Sequence, residues 1–444
     1  VHWLYAARQW ALYRVPSWDL GIYTQMVRGY AERESFVVPI LGPDFFILGD
    51  HFNPHLALYA PFYALHPSGF TLLAAQAVMF GLTAAIITHA AIRHLGPWGL
   101  AIGGAAGLSY LLVEAQAAQF HDIATALPLL AMAMVMLLER RALAAGVWSL
   151  PLRLVKEDLG LTVAAIGAVV ALRAADRRER RIGIAGVVIG LAAFVVVTQF
   201  VLPALNPNGT WGHAGSSILT LAMTDPGAAW ARLFTGLGTK AWMVALPFIA
   251  TGLISARSPL ILVALPTIAW RLTSDSANHW GNTFHYGAVF APIFFLALVD
   301  ALPTVREKVA KRHRWLVIPG FSYLVASVAV ITLPFFALWT FTDPGTWRDN
   351  PNAAAARAAE LQVADGERVT TSIHLLAYLV PRAEVTWYGT ANNPQPDIFL
   401  IQERGQEMPP PHDAGGVAQQ LFPQSTWTQV WQEWPYSAAR PGQS

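Results

Sequence analysis

The sequence predicts an α-helical polytopic membrane protein with a small extracytoplasmic α/β appendage near its C-terminus. Composition is the first reason: 55% of the 444 residues are hydrophobic and 13% are charged, and the mean hydropathy is +0.41. A soluble globular chain does not carry that balance. The second reason is repetition, since apolar stretches recur at close to the roughly 20 residues that span a bilayer. The third is the sorting of charge. Arg93, Arg140, Arg141, the run Arg173 to Arg181, Arg257 and the run Arg306 to Arg314 all fall in alternate turns between apolar stretches. The intervening turns hold Asp19, Asp50, His51, His121, Asp122, Lys156, Glu157, Asp158, His213, His279 and His285. Basic residues stay on the cytoplasmic side during insertion. The acid- and histidine-rich turns are therefore expected on the outer face of a bacterial plasma membrane.

Ten crossing segments are predicted near 70–93, 97–113, 122–138, 142–155, 159–173, 182–203, 240–254, 259–271, 287–302 and 315–341. The opening VHWLYAARQW reads as the tail of a further helix, giving ten or eleven in all, and carries no signal-peptide pattern. Segments 142–155 and 259–271 are short, as broken or re-entrant helices are. Residues 14–66 form a first outer loop, in which Ser17 to Tyr30 has the spacing of an amphipathic helix lying on the membrane surface. The membrane domain covers 1–341 and the appendage 342–405. Within the appendage, 353–363 reads as helix, and Arg368 to Thr371 and Ile398 to Gln402 read as strands. The Gln- and Pro-rich tail at 406–444 is expected to be loosely ordered.

Composition also excludes. Without cysteine there are no disulfides, thiolate nucleophiles or Cys-type zinc sites. No basic stripe interleaves with aromatics, so nucleic acid is not an expected partner. Gly103-Gly104 and Gly186 to Gly190 lie inside apolar spans, where they read as helix-packing positions rather than phosphate loops.

The outer turns supply candidates for chemistry. Asp19, in WDLGIY, is flanked by apolar groups that would desolvate the carboxylate and raise its basicity, as a general base requires. An N-cap role for the following helix explains it equally well. In GDHFNPH, Asp50, His51 and His55 could orient a base or hold a divalent metal, although Pro54 opposes the regular helix an i, i+4 pair needs. An ordinary loop of satisfied polar groups is the plainer reading there. His121, Asp122, Lys156 and Glu157 lie at the ends of apolar spans, where ionisable groups face a cavity or one another. Lys156 at a helix start opposes the dipole, so it is expected to hold a phosphate or pair with Glu157. Arg271, His279 and His285 bracket a polar-aromatic loop suited to an anionic headgroup or a sugar. Interfacial aromatics alone would give the same composition.

Taken in order, SWDLGIYTQ, GDHFNPHLALYAPFY, QFHDIATALPLL, LVKEDLGL and FHYGAVFAPIF resemble a bacterial polytopic membrane family of the domain-of-unknown-function kind. That family is related to the GT-C superfamily of membrane glycosyltransferases. The resemblance covers residues 15–300, with a weaker echo at 353–402. Asp122 stands where the family more often has Pro followed by an acidic residue, which weakens the role that can be carried to His121. The resemblance implies a GT-C-like fold and an inverting sugar transfer from a polyprenyl-phosphate carrier. It places Asp19 where the essential acidic residue of the first outer loop stands.

The expectation is thus an inverting glycosyltransferase acting at the outer face on an envelope glycan, lipid or protein, with a polyprenyl-phosphate sugar as donor and membrane lipid around it. Asp19 would be the base, oriented by Asp50 and His51. Lys156 and Arg271, helped by His279 or His285, would neutralise the leaving phosphate. A transporter or flippase of a lipid-linked or small anionic solute, or a non-catalytic lipid-binding scaffold, are the alternatives.

Overall fold

The computed structural model describes every residue except 34–35, 207–208, 210–217, 349–350, 404–411 and 443–444. Each of the ten predicted segments is helical. The chain runs through α1 (His2–Ala11), α2 (Trp18–Glu32), α3 (Ala60–Leu65), α4 (Gly69–Leu95), α5 (Gly99–Leu108), α6 (Tyr110–Ala117), α7 (Ala126–Leu138) and α8 (Ala142–Ser149). It continues through α9 (Leu159–Arg173) and α10 (Arg177–Val196). Helices Leu237–Ala250, Leu265–Thr273, Phe290–Lys308 and Arg314–Thr332 complete the helical body.

Among the described residues, Gly69–Ala117, Arg177–Leu205 and Lys311–Phe335 are long and apolar enough to cross a membrane. The bent pair Pro226–Phe234 and Leu237–Ala250 adds a fourth if its 55° break is counted as one span. Other apolar helices are shorter, among them Asp122–Leu138, Leu159–Arg173 and the two expected broken ones. In those two, α8 passes into a 3-10 turn at Leu150–Leu154, and 3-10 Pro259–Ala264 passes into Leu265–Thr273. Prolines at 151, 259 and 266 remove amide donors at these joints, which breaks the regular ladder. Along α10, the apolar residues Val188, Leu191, Val195 and Val196 are exposed, as a helix facing lipid requires.

Small residues let two hairpins close. A Cβ on Gly103 of α5 would collide with Thr88 of α4, and one on Gly190 of α10 would collide with the Ala164 backbone of α9. Gly104 is different: nothing lies within 4 Å of its Cβ position, so it is not a packing contact. Gly190→Ala is expected to force α9 and α10 apart and cost about 1–3 kcal/mol. A lowered Tm in detergent would register it, while Gly104→Ala should leave Tm unchanged.

A five-stranded sheet follows the helices, built of β1 (Arg368–Thr371), β2 (Glu384–Trp387), β3 (Ile398–Gln402), β4 (Trp427–Glu433) and β5 (Tyr436–Pro441). Their order in the sheet is β2-β1-β3-β5-β4. β1 lies parallel between β2 and β3, while β5 is antiparallel to both β3 and β4. Helix Pro351–Glu360, β1 and β3 match the sequence expectation. The tail does not: residues 412–442 are ordered, with helix Ala414–Leu421 and strands β4 and β5 completing the sheet. The cause is the apolar load of β3. Phe399 and Ile401 are covered by Ala414, Val417, Ala418 and Trp427, which would otherwise leave that face in water.

Nor is the appendage separate from the first loop. One apolar core joins Leu20, Ile22, Met26, Leu56 and Leu72 to Ala356, Leu375, Leu376, Val385 and Leu400. Helix α2 therefore does not lie on the membrane surface. It is buried on most sides between the helical body and the sheet, with Gly21 against Leu376. Arg28 donates to the Val380 and Ala383 carbonyls at 2.8 and 2.9 Å, and the Ala377 amide donates to Ser17 Oγ at 2.8 Å.

Candidate functional site

The turns that precede α2, α7 and α9 come together with the loop 279–287, which precedes Phe290–Lys308. Helix α2 begins at Trp18, so Asp19 lies in its first turn and makes no capping bond. Its carboxylate points instead at the turn ahead of α7. Gln119 Nε2 donates to Asp19 Oδ2 at 2.9 Å, and His121 Nε2 lies 3.2 Å from the same oxygen. Gln119 also accepts the Leu20 amide through Oε1 at 2.9 Å, locking the α2 terminus to this turn. The turn is held in its own right. Gln76, buried in α4, donates to the Gln119 carbonyl at 2.8 Å and accepts the His121 amide at 3.0 Å. Gln119 has φ 82°, a left-handed conformation that costs a non-glycine residue of order 1 kcal/mol. Those four hydrogen bonds are what over-determine it.

Behind His121 lies His285, its ring stacked at 3.4 Å between centroids and 25° between planes. Beyond it a second polar group is built on the α9 entry. Lys156 Nζ is 3.9 Å from Asp122 Oδ1, and Asn53 Nδ2 is 3.4 Å from Asp122 Oδ2. Glu157, 4% exposed at its side chain, lies 3.0 Å from His51 Nδ1. It also accepts the Phe52 amide at 3.2 Å. Asp50 lies 3.8 Å from His51 Nε2. Asp19, Asp50, His51, His121, Asp122, Lys156, Glu157 and His285 thus gather at one end of the helical body.

Burial pushes the Asp19 carboxyl up, but the His121 hydrogen bond and the His121, Lys156 and His51 charges together outweigh it. The group is therefore held below the usual carboxylate range, against the rise expected from its apolar neighbours. Burial disfavours the His51 cation, yet Glu157 raises His51 to about 9. Burial likewise pushes Glu157 up, but His51 brings it down to about 2. For His285, burial and then the His121 and Lys156 charges hold the imidazole well below its ordinary range. His285 can hydrogen-bond a phosphate but adds no charge to it.

A pH dependence of stability follows from the His51–Glu157 pair. The raised His51 contributes stability that is complete below its ordinary 6.5 and is lost as pH rises through about 9. The depressed Glu157 contributes above its ordinary 4.5 and loses that contribution as pH falls through about 2. Tm measured across pH should hold between those two ordinary values and fall on the alkaline side. In Glu157→Gln the alkaline fall should flatten.

Several sequence expectations change. Asp19 is hydrogen-bonded by Gln119 and His121, a pairing absent from the sequence expectation. Two glutamines carry much of that work, and the sequence signal for Gln76 was its place inside a long apolar helix, where a polar group needs a partner. Arg271 is buried and donates to the backbone carbonyls of His279 and Gly281, so it fastens the loop. His279 accompanies it, with Nδ1 2.6 Å from Ser274 Oγ and its ring against Trp270 and Tyr286. His51 turns to Glu157, and His55 lies edge-on to Tyr59 at 6.4 Å. Among the described residues no group of three or more His, Cys, Asp or Glu is arranged to hold a metal ion. His213 lies outside the described residues.

The chain's fold is similar to that of a solved protein, ArnT from Cupriavidus metallidurans, crystallised with undecaprenyl phosphate. The TM-score is 0.52 at 13% identity, covering 98% of this chain and 97% of ArnT. The apo form of the same protein is matched at TM-score 0.48 and 14% identity, over 95% and 92% of the two chains. The search of curated proteins returned no match. Residues 8–433 match the family described as predicted membrane protein DUF2079, which spans the helical body, the Asp19 site and most of the sheet, and the chain belongs to that family.

Proposed function

We propose that the chain is a membrane-embedded inverting glycosyltransferase that takes a sugar from a polyprenyl-phosphate carrier at the Asp19 site. The observation that carries the reading is the Asp19–His121 pair, with the half-buried Lys156 close by, at the end of an apolar helical bundle. Support comes also from the fold of ArnT, a GT-C glycosyltransferase whose crystal structure holds undecaprenyl phosphate. Asp19 accepts the proton of the acceptor hydroxyl. The freed oxygen attacks the anomeric carbon, and the carbon–oxygen bond to phosphate breaks with its electron pair leaving on the carrier. Lys156 supplies the cation that meets this leaving charge, the kind of contact that usually contributes most to such a step. Its contact with Asp122 is loose at 3.9 Å, which leaves ammonium hydrogens for a phosphate oxygen. His285, neutral and stacked behind His121, holds that ring's plane. The site faces outward in this reading, because the arginine-rich turns lie at the opposite ends of α7 and α9.

The test is incubation of the purified protein in nanodiscs with a panel of polyprenyl-phosphate sugars, reading release of polyprenyl phosphate. Release from one donor, with sugar transferred to acceptor or water, is the expected result. No release and no binding of any donor would overturn the reading. Sugar-phosphate flux in proteoliposomes without release would point to transport instead.

A further inference from the structure

Helices α7 and α9 begin at the Asp19 site and run away from it for about 20 Å or more at 1.5 Å per residue. At their far ends they frame a shallow cleft open to the surface. Its floor is apolar, with Met136 and Val170, and its rim carries Arg140, Arg141, Arg173 and Glu179. We infer that this cleft binds the phosphodiester headgroup of an anionic phospholipid in the leaflet opposite the Asp19 site.

Topology alone requires arginines in these turns, but it does not require them to converge. Here they do. Arg140 takes a left-handed φ of 59° and donates to the Arg173 carbonyl at 3.3 Å. That bond links the α7–α8 turn to the α9 terminus. Arg173 is 10% exposed at its side chain and bridges Asp300 at 3.0 Å. Its Nε, buried, has no partner among the described residues. A buried guanidinium N–H left unsatisfied costs about 1–3 kcal/mol or more, and a ligand acceptor would recover it.

The charge balance narrows the ligand. Arg93 and Arg141 share Glu139, at 3.0 and 3.8 Å, and Asp300 answers Arg173. Glu179 spends one oxygen on the Ala175 amide at 2.8 Å. Around the cleft itself Arg140, Arg141 and Arg173 stand against the single carboxylate of Glu179. That positive surplus above an apolar floor matches an anionic headgroup with its acyl chains beside the helices. A free dianionic phosphate has no use for the floor. Basic pockets between helices at the membrane edge are where such headgroups dock.

Native mass spectrometry of the full chain, titrated with phosphatidylglycerol, tests this. The expected result is saturable binding that weakens about 10-fold or more in R140A/R141A, the loss of charge-assisted hydrogen bonds. Binding should be unchanged in K308A/K311A, which removes exposed charge from the same side of the body. R140K/R141K guards against a change of insertion: it keeps the charge but loses the guanidinium fork, and binding should weaken there also. Equal weakening in K308A/K311A, or equal binding of phosphatidylcholine, would overturn the inference. Displacement of the lipid by inorganic phosphate at matching concentration would overturn it in favour of a free-phosphate site.

Discussion

Asp19→Asn is expected to cut polyprenyl-phosphate release by about 100- to 10,000-fold, the contribution of a positioned general base. Asn is nearly isosteric, so Gln119 keeps a partner at the carbonyl oxygen and the α2 terminus stays clamped. Donor binding and Tm should therefore change little, which separates loss of the base from loss of the fold. The wild-type carboxyl is held below its ordinary range, so it stays ionised through neutral pH. Activity should consequently not fall on acidification until pH is below the ordinary aspartate value of about 4. Full turnover in the Asn variant would remove Asp19 from the chemistry and leave it as a structural partner of His121.

The largest effect on stability is expected from Glu157→Ala. Glu157 is almost wholly enclosed and engages His51 and the Phe52 amide, with Lys156 adjacent. Removing one member of a buried ion pair leaves the other charge without compensation and costs about 3–5 kcal/mol. Denaturant unfolding in detergent should show this loss. A double variant that also carries His51→Ala should lose much less than the sum of the two single variants, since the orphaned imidazolium is gone. Additive losses would mean that Glu157 acts mainly through Lys156.

Much of this was legible without coordinates. An apolar run is a local property of the chain, so helices are found where composition puts the ten segments, although among the described residues only three, or four with the bent pair, are long and apolar enough to cross a membrane. Positive charge is sorted during insertion by turn, which is why the carboxylate and histidine turns share one end. Arg368 to Thr371 and Ile398 to Gln402 were readable as strands because β-branched and aromatic runs bounded by turn residues are local too. The candidates clustered for the same reason: an ionisable group at the end of an apolar span needs a partner, and the partners are other such groups.

The pairing among those groups was not legible, because it is set by contacts between residues about a hundred positions apart. Asp19 is far nearer in sequence to Asp50 than to His121, yet His121 and Gln119 hold it, since the turn ahead of α7 packs under the first turn of α2. That Arg271 also fastens the loop through the His279 and Gly281 carbonyls is likewise set by tertiary contact and not by charge. The tail at 412–442 looks polar and loose by composition, but β3 offers a free edge and an apolar face, and the tail supplies the strands and helix that close both. Sequence fixes what each segment must bury and which charges need company. Tertiary packing decides which partner is within 3 Å, and here that choice defines the site.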